Sequence, residues 1–340
     1  MSSPTRLLVI QTAFIGDVIL ATALLEHLHA RFPETALDML VRKGNEGLLE
    51  GHPFLNDLLV WDKRNGKYSS LWKLLKVVRQ RQYDVIVNLQ RFGATGLLTA
   101  LSQASVTAGF DKNPFSRFYT YRTEHRILPG IHEVDRNAEV VRWLTKPNPS
   151  EHRPKLYPSR HDYQQIEAYK IGPYVCVAPT SVWFTKQYPA ERWVVFLQQI
   201  PSDYTVYLLG APSDARACEQ IRNATGRANV VNLAGKLSLL ASAALMEGAV
   251  MNYVNDSAPL HLASAMNAPT AAVFCSTVPQ FGFGPLADDA HLIELDEPLE
   301  CRPCSLHGRR KCPLGHFQCA HGIRTEQLLT VLETRPSGRV

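Results

Sequence analysis

A carboxylate stands nearly alone at the start of this chain. Asp17 is the only acid in residues 1–25 and follows Gly16 in the run FIGDVILATALLEHL. A carboxylate held at a turn can take the proton of an attacking hydroxyl, which is general base catalysis. The same residue type is also favoured as the cap of the helix it precedes. A second group lies in the other half of the chain: Thr180 and Ser181 with Lys186 a few residues on, Asp214, and Asp256-Ser257 with His261 four residues after Ser257. Hydroxyls and backbone N–H groups at helix starts suit a phosphate, and a nearby lysine adds charge. An acid at the end of a strand can hold a ribose. Each of these residues also reads as an ordinary helix cap; their recurrence on successive strand ends points to a nucleoside diphosphate.

Two further sets carry chemistry. Cys301, Cys304, Cys312 and Cys319 crowd into CRPCSLHGRRKCPLGHFQC, with His307 and His316 among them. The C-x-x-C pair with two further thiols is a candidate zinc site, although the second pair is not a C-x-x-C; free thiols in a compact loop are the competing reading. Cys176, Cys218 and Cys275 lie in or beside apolar runs and read as buried thiols. The cations Lys63, Arg64, Lys67, Arg91, Lys112, Arg117, Arg122 and Arg126 fall mostly in loops. Singly they are solvated charges. Together, with Arg91 at a strand exit, Lys63, Arg64, Arg91 and Lys112 can line a site for an anionic acceptor.

The elements that position these groups follow from periodicity. Residues 7–10 are an uncharged apolar run, the pattern of a strand buried on both faces, and residues 18–28 repeat apolar side chains at helical spacing. Asp17 therefore sits on a strand-to-helix turn at the carboxyl end of a strand, where open α/β sheets bind ligands. The alternation continues: strands over 36–41, 58–61 and 84–89, and a helix over 71–79 with Leu71, Leu74, Leu75 and Val78 inside and Lys73, Lys76 and Arg79 outside. A helix is expected over 97–101, a long aromatic and basic loop over 109–126, and a helix over 132–144. Residues 146–159 hold four prolines without apolar period and read as a linker. The pattern then restarts, with strands over 174–178, 204–209, 230–233, 249–254 and 270–275, helices between them, and a last helix over 325–333. Two α/β halves, each a doubly wound sheet, are the expectation.

Composition agrees with a globular protein: of 340 residues, 45% are hydrophobic and 20% charged. No apolar run reaches the roughly 18–20 residues that span a bilayer. The first residues lack a small-residue cleavage site and read as a first strand, so a cytoplasmic protein is expected. Residues 1–150 carry 19 Lys and Arg against 14 Asp and Glu; the remainder carry 17 against 17. The basic half is expected to face the larger anion. No nucleic-acid module, Walker lysine loop or G-x-G-x-x-G fingerprint is present, which takes support from nucleic-acid binding, ordinary ATPase and dehydrogenase readings.

FIGDVILATALLEHL near the start, NDSAPLHLASAMNAPTAAVF at 255–274 and CPLGHFQC near the end resemble the ADP-heptose:lipopolysaccharide heptosyltransferases of glycosyltransferase family 9, most closely the type II branch. NLQRFGATGLLTALS and GFDKNPFS are similar to segments of the same branch. The resemblance implies a GT-B fold, two Rossmann-like domains facing across a cleft, with the last helix crossing back to the first domain. The corresponding domains are 1–155, binding the acceptor and carrying the base; 156–322, binding the ADP-sugar; and 323–340, the returning helix and tail.

It further implies inverting transfer of L-glycero-D-manno-heptose from ADP-heptose to the inner core of lipopolysaccharide. Asp17 falls on the family's general base; Thr180, Ser181, Lys186, Asp214, Asp256, Ser257 and His261 fall on its donor contacts. Ala258 stands where the family has glycine. No D-x-D motif is present, in keeping with GT-B transferases that require no metal for the donor. An anionic core–lipid A acceptor accounts for the basic half, and peripheral contact with the inner face of the inner membrane through the aromatic loop at 115–121 is a further expectation. The rival readings are a family 9 transferase using another nucleotide sugar and a non-catalytic nucleotide-sugar-binding protein.

Overall fold

The structure, a computed structural model, describes residues 3–64, 66–145 and 153–333. The first half of the proline-rich linker, 146–152, lies outside the described residues. The chain divides into two units, with the break between Tyr157 and Pro158.

The first unit runs β1 (Arg6–Ile10), α1 (Ile15–Arg31), β2 (Ala36–Arg42), β3 (Leu55–Trp61), α2 (Lys67–Gln80), β4 (Val85–Asn88), α3 (Gly93–Ala100), β5 (Val106–Phe110), β6 (Tyr121–Thr123) and α4 (Glu133–Glu139). All its strands are parallel, in the order β3-β2-β1-β4-β5-β6. The apolar run of β1 is explained by this place: Val9 lies between Met39 and Val87, with a strand on either side. Leu71, Leu74, Leu75 and Val78 of α2 join Leu8, Ile10, Leu40 and Ile86 in one core, while Lys73, Lys76 and Arg79 stay exposed.

The second unit runs α5 (Arg160–Ile166), β7 (Tyr174–Ala178), α6 (Ala190–Gln199), β8 (Thr205–Leu208), α7 (Ala215–Thr225), β9 (Val230–Asn232), α8 (Leu239–Glu247), β10 (Met251–Asn255), α9 (Ala258–Ala265), β11 (Thr270–Phe274), β12 (Ala290–Glu294), α10 (Gln318–His321) and α11 (Thr325–Glu333). Its sheet is also parallel, in the order β12-β11-β10-β7-β8-β9. Numbered from each unit's own first strand, the two orders are identical, 3-2-1-4-5-6, the dinucleotide-fold arrangement. Val177 on β7 is paired with Leu208 on one side and Tyr253 on the other, and Trp193 and Phe196 of α6 pack beneath it.

Several expectations change. The segment read as a loop over 109–126 contains the end of β5 and the three-residue edge strand β6. The helix expected over 132–144 is α-helical only to Glu139 and continues as tighter turns, in which Val140, Val141 and Arg142 bond three residues back. In α11, Leu328, Val331 and Leu332 lie in the second core, and Tyr253 on β10 donates its hydroxyl hydrogen to Leu328 O at 3.0 Å. Residues 334–340 of the expected tail lie outside the described residues. Among the described residues no helix is long and apolar enough to cross a membrane.

Candidate functional site

In a sheet of order 3-2-1-4-5-6 the connections leave the first and fourth strands in opposite directions, opening a crevice at their carboxyl ends. In the first unit those strands are β1 and β4, and the residues that follow them include Asp17 and Gln90-Arg91. In the second they are β7 and β10, followed by Thr180, Ser181 and Asp256-Ser257.

Asp17 is half-buried at the third position of α1, not at its cap. The cap residue is Phe14, whose backbone N–H donates to Asp17 Oδ2 at 3.2 Å. The carboxylate thus closes the helix start from inside while remaining on the turn. The loop before it is pinned from several directions. Lys63 Nζ donates to Thr12 O at 3.1 Å, Asn45 Nδ2 to Ala13 O at 3.0 Å, and Ala13 N to Gln11 Oε1 at 3.2 Å. Gln90 Nε2 reaches the same Gln11 oxygen from the exit of β4, joining the two sides of the crevice.

That exit is fixed by Asn113, whose side-chain amide donates to Gln90 O at 2.9 Å and Phe92 O at 3.1 Å. Gly96 makes the insertion feasible: a Cβ there would lie 1.9 Å from Asn113 Oδ1. Of the four expected acceptor residues, Lys63 is tied to the Asp17 loop, and Arg91 and Lys112 both act on His125. His125 is buried and pushed down to about 4, first by burial and then by Arg91, Lys112 and Arg136. Arg64 extends into solvent, its backbone N–H held by Asp62 at 3.0 Å.

Sequence reasoning passed over two residues on α4. Glu133 and Arg136 are buried and paired, Nη2 to Oε2 at 2.6 Å and Nε to the same oxygen at 2.8 Å. Burial pushes the Glu133 carboxyl up; Arg136 pulls it down, Asp17 pushes it up again, and Arg91 opposes both. The one available signal was an E-x-x-R spacing at the start of a helix, which ordinarily marks a solvated pair.

In the second unit the ion pair Lys186 Nζ–Asp256 Oδ2, 2.7 Å, joins the loop after β7 to the end of β10. The two side chains are only 15% and 6% exposed, so the pair is a buried one. Thr277 Oγ1 donates to the same carboxylate oxygen at 2.6 Å. Asn255 binds the loop from beneath: its Oδ1 accepts from Tyr188 N at 2.9 Å, and its amide lies 3.4 Å from Ala178 O and 3.5 Å from Thr180 O. Ser181 O accepts from Gln187 Nε2 at 2.7 Å. Ser257 is the cap position of α9, yet its hydroxyl turns back to Asn255 O at 3.4 Å and leaves the helix start uncapped by a side chain. Asp214 follows β8, where its Oδ2 accepts from Ala211 N at 2.9 Å. His261, one turn into α9, is buried edge-on to Phe283. Thr277 and Asn255 escaped the sequence reading because a strand end marks a position, not a partner.

The cysteine loop is sewn to this site. Thr185 N donates to Arg309 O at 3.1 Å, Arg309 N to Thr185 Oγ1 at 2.7 Å, and Cys304 N to Ser276 O at 3.0 Å. Gly308, at φ +78°, lies so close to Lys186 that a Cβ would stand 2.7 Å from its Cγ. Burial pushes the Cys319 thiol up to about 12, with Cys304, Cys301 and Cys312 adding to the effect, and Cys304 is raised in the same way. Among the described residues, no group of three or more His, Cys, Asp or Glu side chains that could hold a metal ion is found.

A signature describing glycosyltransferase family 9 (heptosyltransferase) matches residues 71–314. The chain is 27% identical over 277 residues to lipopolysaccharide heptosyltransferase 3 of Escherichia coli, covering 78% of this chain and 82% of that protein. It is 26% identical over 321 residues to lipopolysaccharide heptosyltransferase 1 of Pseudomonas aeruginosa, covering 88% and 86%. Among solved structures, E. coli ADP-heptose lps heptosyltransferase II superposes with a TM-score of 0.78 at 20% identity, over 96% of this chain and 97% of that one. The fold is therefore the two-sheet GT-B architecture. Relatives of types 1, 2 and 3 all match and the structural neighbour is of type II, so the likeness does not single out the type II branch.

Proposed function

The chain belongs to glycosyltransferase family 9, and from that premise we propose that it transfers L-glycero-D-manno-heptose from ADP-heptose to the inner core of lipopolysaccharide, with inversion and with Asp17 as general base. The observation that carries this reading is the placement of one carboxylate at the strand-order reversal of the first sheet and of a lysine–carboxylate–hydroxyl set at that of the second.

In this mechanism the acceptor hydroxyl gives its proton to Asp17 as its oxygen bonds to the anomeric carbon. The bond from that carbon to the diphosphate breaks on the opposite face, and ADP departs with the electron pair. Lys186 exchanges Asp256 for the diphosphate, and the uncapped start of α9, with Thr180 and Ser181, supplies hydrogen-bond donors for the growing charge. Asp214 lies on the adjoining strand end, in position for the ribose, and His261 supports α9 behind the diphosphate. Lys63, Arg64, Arg91 and Lys112 bind the acceptor's phosphates.

Calorimetric titration with ADP-heptose beside UDP-, GDP- and other ADP-sugars tests the donor. Selective binding of ADP-heptose is expected. Preference for another nucleotide sugar would overturn the named reaction while leaving Asp17 as the base.

The acceptor is lipid-linked, and the first unit carries a surface suited to its membrane. Phe92 and Phe118 are 70% and 56% exposed, Phe115 stacks on Phe118, and Arg117 covers the Phe118 ring at 4.8 Å. Aromatic rings beside cations favour an anionic lipid interface. The protein is expected to float with vesicles containing anionic phospholipid at low salt and not with purely zwitterionic ones. Absence of flotation in both would remove this peripheral contact from the scheme.

A further inference from the structure

Glu133 and Arg136 are a buried pair with no place in the mechanism above. They lie in the first turn of α4, a helix that packs against α1, whose own first turn carries Asp17. The pair is rigidly set. Arg136 donates twice to Glu133 Oε2 and, through Nη1, to Ile131 O at 2.8 Å. The helix start is locked by His132, whose N–H donates to Asp135 at 3.1 Å and whose Nδ1 accepts from Val134 N at 3.2 Å. A buried ion pair is seldom a net source of stability, because two desolvation penalties offset the attraction. One placed beside a reacting carboxylate has a further use, since it fixes the local field.

We propose that Glu133 and Arg136 are positioning residues that set the charge balance around Asp17 and so hold it as a proton acceptor at working pH. The inference rests on the reading of Asp17 as general base. Glu133 presents a negative charge to Asp17 and so keeps the carboxylate basic. Arg136 cancels most of that charge and so keeps Asp17 ionised. The other charged and titratable groups at the starts of these helices and on the loops against them are His132 and Asp135 of α4, Asp111, Lys112 and His125 after β5 and β6, Arg91 at the exit of β4, Lys63 on the Thr12 carbonyl, and Arg42 over the Phe14 ring at 5.0 Å. Against this fixed background, removing Glu133 makes the field at Asp17 more positive, and removing Arg136 makes it more negative.

The test is the pH dependence of kcat/KM, read as ADP release from ADP-heptose with a truncated core–lipid A acceptor. The acid limb reports the group that must be ionised in the free enzyme. In Glu133→Gln, which keeps the shape of the side chain, the acid limb is expected to move down by about one pH unit, and the maximal rate to fall because the base is weaker. In Arg136→Gln the limb is expected to move up. The double variant restores charge balance and is expected to bring the limb back toward its starting place. The Kd for ADP, measured on the same preparations, is expected to stay within about twofold, because the donor residues lie on the second unit.

A structural clamp would lower rates in all variants without moving the limb in opposite directions. An unmoved limb in Glu133→Gln, or shifts of one sign in both single variants, overturns the proposal. If Arg136→Gln does not fold, Glu133→Gln alone decides it. Asp17→Asn separates this result from failure of the underlying reading. An active Asp17→Asn enzyme would refute the base. An inactive one beside an unmoved limb in Glu133→Gln would refute only the role of the pair.

Discussion

Asp17→Asn is expected to lower turnover by about 10²- to 10⁴-fold, the range for loss of a general base, with ADP affinity unchanged. The prediction is sharp because the substitution separates two functions of one side chain. Asp17 Oδ2 accepts the Phe14 N–H at the head of α1, and the Asn carbonyl oxygen can accept the same bond. What Asn cannot do is take a proton. Asp17→Ala removes both functions and is expected to cost about 1 kcal/mol of stability in addition. Steady-state rates with saturating donor, together with ADP titration and thermal unfolding, distinguish the two. A turnover in Asp17→Asn within tenfold of the parent would place the base elsewhere.

Lys186→Met is expected to be the most damaging change in the second unit, on two counts. Loss of one charge-assisted contact to the diphosphate, about 1.5–3 kcal/mol, weakens ADP binding by roughly 10- to 100-fold. The substitution also leaves the Asp256 carboxylate, 6% exposed, with Thr277 in place of a cation. Breaking a buried pair in this way costs about 3–5 kcal/mol, and a marked fall in Tm is expected. Asp256→Asn should be milder, since the amide oxygen can still accept from Thr277 and Lys186 is released toward the donor. ADP titration and thermal unfolding of both variants provide the check. ADP bound by Lys186→Met as tightly as by the parent would remove Lys186 from the donor site.

What the sequence disclosed, and what it withheld, follows from which interactions are local. The β1–α1 turn was legible because a buried parallel strand has to be uncharged and its helix has to repeat at 3.6 residues. Whether Asp17 capped that helix or stood free for chemistry was not legible. The structure places it at the third helical position, where it accepts a cap hydrogen bond and still faces the turn.

β5 was missed because VTAGF lacks a bulky apolar run. Its Gly109 has no Cβ because the Tyr119 ring and the Asn88 carbonyl would each lie 2.7 Å from one. β6 is three residues at a sheet edge and carries no period to detect. The HEVDRN segment read as an ordinary polar helix, yet Glu133 and Arg136 point inward; an i,i+3 pair looks the same in sequence whether solvent or protein surrounds it. Asn255, Thr185 and Thr277 bridge segments up to 124 residues apart, as Arg309 to Thr185 illustrates, and no local pattern encodes such a bridge.

The repeated strand order has an evolutionary consequence. On the functions proposed here, the proton acceptor and the acceptor-facing cations are built entirely from residues before the break at Tyr157, and the nucleotide machinery entirely from residues after it. Each crevice is a product of its own sheet's winding, so neither half needs the other's sequence to form its turns. A lineage can therefore rewrite the loops after β3, β4 and β5 to follow a changing sugar acceptor while inheriting its donor chemistry intact. Selection then acts on two nearly independent texts, and sequence divergence should concentrate in the first.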